Sequence, residues 1–252
     1  MRDYSAIGFI SSLLVVTGLL GAPAAGERDK LNVVTTLSVL EYIAGEVGGT
    51  RTSAQSLSDP RQDPHFVQPR PTLMKKTRQA DVFVEVGLQL ELWAQKVIDG
   101  AGNPRIQAGQ PGRVVASNGI STLELPGILS REWGDVHPYG NPHVWLDPVN
   151  VKRMGANIAD AFTSVDPEHA DHYAGKLATF NARVDSALFG AELVANVGAA
   201  KLTRLAQRGR LFEYLADKGL AGELGGWLKK AEPLRGQKIV TYHKTWVYFA
   251  RR

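Results

Sequence analysis

Of the six histidines in this chain, two stand in closely similar settings. His65 lies in Asp63-Pro64-His65-Phe66-Val67-Gln68-Pro69, and His143 in Asn141-Pro142-His143-Val144-Trp145-Leu146-Asp147-Pro148. In both, the preceding proline fixes its own φ and restricts its neighbour, so the imidazole leaves the chain from a rigid loop. A third, His243, follows the apolar, β-rich run Lys238-Ile239-Val240-Thr241-Tyr242, where a strand meets a helix start. Ends of buried strands are where α/β folds present ligand-binding groups. Three neutral imidazoles on rigid supports suit zinc and its neighbours. The three are 78 and 100 residues apart (65 to 143, and 143 to 243), with no H-x-x-x-H spacing, so only the fold can unite them.

Other residues near these histidines have roles to test. His137, six residues before His143 in a Gly/Pro loop, is a candidate auxiliary ligand. Asp147, four residues past His143, is placed either to accept a ring N–H from a ligand or to cap a helix opening at Pro148, and the cap is favoured. His169 and His172 fall on the polar face of a helix and are expected to be solvated, whereas Trp145 and Trp246 are expected in the core.

The elements that must position these groups alternate between strand and helix. Leu31–Thr36 reads as a first strand. Ser38–Val47 reads as a helix stopped at Gly48-Gly49, with Ser38 and Glu41 spaced for a capping box. Thr52–Leu57 is a second strand, and four prolines between Asp59 and Pro71 mark a loop. Thr72–Ala80 is helical, Asp81–Gly87 a buried strand, Leu88–Ile98 a helix, and Val114–Ala116 a possible further strand. Such alternation indicates an α/β fold with a parallel sheet. From Val149 to about Leu193 the chain suits helix, with a restart at Asp166-Pro167-Glu168. Tyr173, Leu177, Phe180 and Val184 then fall at helical spacing, giving a long amphipathic helix over 166–195 able to act as a rigid strut between two lobes. Lys238–Tyr242 reads as a strand, and the pattern runs unfinished to Arg252, so a C-terminal lobe over 196–252 is expected to be incomplete.

Composition narrows the setting. Arg2, then an apolar run over Phe9–Leu20, then Gly21-Ala22-Pro23-Ala24-Ala25 read as a secretory signal peptide over 1–25, too short to cross a bilayer comfortably. A periplasmic location is expected. Cysteine is absent, which excludes disulfides and a lipid-modified cysteine. The net charge of +4 comes from well-mixed charges without a Lys/Arg run interleaved with aromatics, so nucleic-acid binding is not indicated.

Taken together, Asp63-Pro64-His65 with Pro69, Ala80-Asp81-Val82-Phe83-Val84, Asn141–Pro148, Tyr242-His243 and Tyr248-Phe249-Ala250-Arg251-Arg252 resemble the zinc- and manganese-type metal receptors of bacterial ABC importers (the cluster 9 solute-binding proteins). That resemblance implies a two-lobe α/β solute-binding protein with parallel sheets, one long rigid inter-lobe helix and the metal between the lobes. It implies an N-terminal metal-binding lobe over 26–165 carrying His65 and His143, with His243 supplied by the C-terminal lobe. It further implies Zn2+ as cargo with Mn2+ as the alternative, an ABC permease in the inner membrane as partner, a monomer, and no enzymatic activity. The family's fourth ligand, an Asp or Glu later in the C-lobe, has no counterpart in this sequence, and no His-rich loop precedes His143. A secreted zinc hydrolase with three histidines and an open position is the alternative, since catalytic zinc uses that set. None of the histidines stands in an H-E-x-x-H relation that would supply its base.

Overall fold

The computed structural model describes residues 30–125, 137–241 and 243–252; the expected signal peptide lies outside the described residues. Strands β1 (Leu31–Thr35), β2 (Thr52–Ser56), β3 (Val82–Glu85) and β4 (Arg113–Val115) form one parallel sheet in the order β2-β1-β3-β4. In register, Val33 faces Ala54 on one side and Val82 on the other, and Val84 faces Val114.

The side-chain period of two splits each central strand between two cores. Val33, Val82 and Val84 point into a core shared with α1 (Ser38–Gly48), α4 (Pro148–Val165) and α5 (Ala170–Phe189). Val34 and Phe83 point the other way, against α3 (Ala94–Ala101) and the partly buried Leu73 and Met74 of α2 (Pro71–Thr77). Burial on both faces explains why β3 (Val-Phe-Val-Glu) is apolar almost throughout, as parallel strands covered by helices are.

The strand order places a topological switch between β1 and β3, and a buried carboxyl closes it. Glu91 accepts from the Thr36 hydroxyl (2.7 Å) just past β1, and from Val86 N–H (2.8 Å) and Gly87 N–H (3.1 Å) just past β3. Burial pushes its pKa up to about 7, against the hydrogen bonds that favour the carboxylate. The same turn delays the helix expected from Leu88. Leu88 and Gln89 both adopt left-handed φ values (57° and 64°), so α3 begins only at Ala94.

Three further expectations are corrected. Ser38 and Glu41 form no capping box: Leu37 is the N-cap, without a side-chain bond, and the Glu41 carboxylate instead accepts from Ser56 N–H (3.2 Å). The glycine stop does operate: Gly49 caps the helix with φ +54°, its N–H bonding to Gly45 O. The helix expected over 166–195 is α5, which ends at Phe189. Gly190 has φ +89°, and its backbone packs against Gly225, so a new helix, α6 (Ala191–Val197), starts there. Residues 238–241 form no strand; Val240 is fully exposed and no neighbouring strand offers a ladder among the described residues.

A third core joins Val149 of α4 and Leu188 and Phe189 of α5 to α6, α7 (Ala199–Gln207), α8 (Leu211–Asp217) and α9 (Gly226–Ala231). The last helix, α10 (Val247–Ala250), returns to the first core through Tyr248, which is 1% exposed. Among the described residues no helix is long and apolar enough to cross a membrane.

Candidate metal centre

The three histidines singled out by their sequence settings come together. Ring centres are 5.5 Å apart for His65 and His143, 5.8 Å for His65 and His243, and 5.4 Å for His143 and His243. A Zn–N bond of about 2.0–2.1 Å in a tetrahedral shell separates the centres of two ligating rings by about 5 Å. Trigonal directions widen that slightly, so the observed triangle has the size of three imidazoles around one ion.

Each ring is held from behind by a residue two positions away. Asp63 Oδ1 accepts His65 backbone N–H (2.9 Å) and faces its Nδ1 at 2.7 Å. Asn141 Oδ1 accepts His143 N–H (3.0 Å) and faces its Nδ1 at 2.9 Å. The two Asx-Pro-His segments are thus the same device, an Asx turn that also orients the ring. In the third, His243 Nδ1 lies 3.1 Å from Thr245 Oγ1.

These bonds set the tautomers. The Asn141 amide nitrogen donates to Lys244 O (2.7 Å) and Glu124 Oε2 (2.9 Å), so its oxygen must face His143 and the proton must sit on His143 Nδ1. A carboxylate accepts only, so His65 likewise carries its proton on Nδ1, opposite Asp63. Both rings therefore present a bare Nε2, the form a metal requires.

Burial, followed by the neighbouring imidazoles His65, His243 and His137, holds the His143 pKa down at about 4. The ring is only 4% exposed and neutral at physiological pH. Partial burial works against the Asp63 carboxylate, yet the hydrogen bonds from His65 keep its pKa below the usual value.

The supports reach back into the sheet. Trp93 Nε1, two residues past Glu91, donates to Pro64 O (2.8 Å) and braces the loop that carries His65. Tyr248 OH donates to Asn141 O (2.7 Å) and accepts from Leu123 N–H (3.1 Å). Through Asn141, then, the arm bearing His143 is tied both to α10 and to Lys244, next to His243.

His137 also belongs here, with its Nε2 3.2 Å from His65 Nε2 and its ring centre 5.2 Å away. Because His65 Nε2 is turned toward His137, the donors are neighbours without being drawn onto one point. Among the described residues no three or more His, Asp or Glu side chains already stand in ligating geometry.

Asp147 supports no ring. Its carboxylate caps α4 by accepting from Val149 N–H (2.9 Å) and pairs with Arg252 (Nε–Oδ1, 2.7 Å), while the His143 Nδ1–H it was a candidate to hold goes to Asn141. His169 and His172 are half-buried instead of solvated. The first contacts Asp166 (3.0 Å) and the second Gly48 O (2.9 Å). Trp145 packs partly against the first core and 5.3 Å from the His143 ring, but Trp246 is 46% exposed. Asp63, Asn141 and Thr245 were not singled out as partners from the sequence. The repeated Asx-Pro-His pattern is the signal by which the first two could have been found.

Comparison with known proteins bears on this arrangement. The family model described as "ZnuA: Zinc-uptake complex component A periplasmic" matches residues 33–218. The manganese ABC transporter substrate-binding lipoprotein PsaA of Streptococcus pneumoniae is 30% identical over 168 residues, covering 65% of this chain and 51% of that protein. The iron-binding protein YfeA of Yersinia pestis is 30% identical over 163 residues, covering 65% and 48%. A zinc-bound ZnuA deletion mutant superposes with a TM-score of 0.60 at 25% identity, covering 88% of this chain and 66% of that one. The chain spans about half the length of the curated relatives it matches.

Proposed function

The chain belongs to the ZnuA family of periplasmic zinc-uptake components, and on that footing we propose that it captures a divalent transition-metal ion for an ABC importer. His65, His143 and His243 are the ligands in this reading, zinc is the first cargo and manganese the second. The observation that carries it is the triangle of rings 5.4–5.8 Å apart, each with Nδ1 held by a residue two positions away.

Capture follows from the donors. Neutral imidazoles replace water on the hydrated ion, and the ring pinned by Asn141 offers Nε2 at any pH above about 4. The ion is carried and released unchanged, and the nearby Asp63 carboxylate is committed to His65 Nδ1 and not to activating water. Named relatives that carry manganese or iron keep the cargo open within the family. Three imidazoles favour zinc here, because nitrogen ligands suit zinc and oxygen ligands suit manganese. We further place the chain in the periplasm behind a leader at 1–25, acting as a monomer that delivers the ion to an inner-membrane permease. Residues 26–165 then form the metal-binding lobe, 166–195 the linking helical segment and 196–252 part of a second lobe.

Equilibrium dialysis of the purified chain against an equimolar zinc and manganese mixture, followed by elemental analysis, tests this. About one zinc per chain with little manganese is the expected result. A folded chain that retains neither ion would overturn it.

A further inference from the structure

The fourth imidazole in the cluster has no part in the three-ligand reading. His137 approaches His65 nitrogen to nitrogen, Nε2 to Nε2 at 3.2 Å. With the His65 proton on Nδ1, opposite Asp63, His65 Nε2 is the acceptor and His137 Nε2–H the donor. Two nitrogens bound to one tetrahedral zinc at about 2.0–2.1 Å are themselves about 3.3 Å apart. The pair therefore already has the donor spacing of two neighbouring ligands, bridged here by a proton on the line between them. Its ring-centre separation, 5.2 Å, is also that of two rings sharing an ion.

We propose that His137 is a fourth metal ligand, closing an all-imidazole shell with His65, His143 and His243 that selects zinc-like cations over manganese. The inference rests on the metal-capture reading and deepens it.

His137 opens a turn closed by Gly140 N–H bonding to its carbonyl (3.0 Å), and Gly140 has φ +90°. The turn leads directly into Asn141, so the fourth ring is carried by the same segment that fixes His143. Coordination requires the His137 proton to leave Nε2 and Nδ1 to carry one instead, an exchange through solvent without net release. Four neutral nitrogens suit zinc, copper or nickel, whereas manganese prefers oxygen donors and loses more by this choice.

The test compares the full chain with His137→Ala and His137→Asp, after circular dichroism has shown each variant folded. Zinc and manganese affinities are measured by chelator competition, and the zinc shell is read by X-ray absorption. Wild type should show four imidazoles and His137→Ala three, with zinc affinity lowered about tenfold or more and manganese affinity changed less. His137→Asp should narrow the gap between zinc and manganese by replacing nitrogen with oxygen. Unchanged zinc affinity and an unchanged imidazole count in His137→Ala would overturn the assignment while leaving metal capture intact. Wild-type chain that takes up no zinc would instead overturn the capture reading on which it rests.

Discussion

Asn141 holds both the backbone and the ring of His143: one amide oxygen accepts the main-chain N–H at 3.0 Å and faces Nδ1 at 2.9 Å. Its amide nitrogen meanwhile donates to Lys244 O beside His243, so one side chain links the supports of two rings 100 residues apart in the chain.

Replacing this amide separates orientation from ligation. Asn141→Ala is expected to weaken zinc binding about 10–100-fold while His143 itself remains, the usual cost of removing the partner that orients a ligand. Asn141→Asp should retain more affinity, because its carboxylate can still accept the Nδ1–H. Chelator competition on both variants measures this; equal affinity of Asn141→Ala and wild type would refute the orienting role.

His172 provides the contrast. It bonds Gly48 O at 2.9 Å and lies outside the ring triangle. His172→Ala should leave zinc affinity unchanged and lower stability by about 1 kcal/mol, the net value of an ordinary hydrogen bond. Denaturant unfolding and zinc titration of the same preparation check both halves.

The depressed pKa of His143 makes stability pH-dependent in a defined direction. Between about 6.5 and about 4 the unfolded chain binds a proton at this ring and the folded chain does not. Stability from this group is thus present above pH 6.5 and is lost as pH falls through about 4. Metal-free wild type should therefore lose more stability over that window than His143→Gln, measured by denaturant midpoints at each pH.

Glu91 behaves oppositely. Its raised pKa, caused chiefly by burial, favours the neutral form in the fold, so its contribution is present below about 4.5 and lost as pH rises through about 7. The stability of Glu91→Gln relative to wild type should accordingly improve from pH 5 to pH 8 by about 3 kcal/mol, an order-of-magnitude figure from the size of the shift. A pH-independent difference would show that the carboxyl does not titrate in this range.

What could be read from the sequence was governed by local signals. The parallel sheet was legible because Val33, Val34, Val82, Phe83 and Val84 form short apolar runs between helical patterns. Lys238–Tyr242 carries the same kind of run, but a strand also needs a neighbour to complete its ladder, and residues 238–241 have none. Propensity likewise predicts a helix from Leu88, whereas two left-handed residues and the buried Glu91 carboxyl, bonded just past β1 and β3, form a turn. At the site, Pro-His contexts marked His65 and His143. The approach of His137 to His65 depends on folding across 72 residues, which no local spacing encodes. Asp147 could be read either way from sequence, and Arg252, 105 residues later, is the partner that occupies it.

The most direct test of metal capture is the metal content of His143→Ala beside wild type, both dialysed against zinc and counted by elemental analysis. Wild type should retain about one zinc per chain. The folded variant, having lost the most buried of the three rings, should retain almost none. Equal zinc in the two proteins would contradict the account.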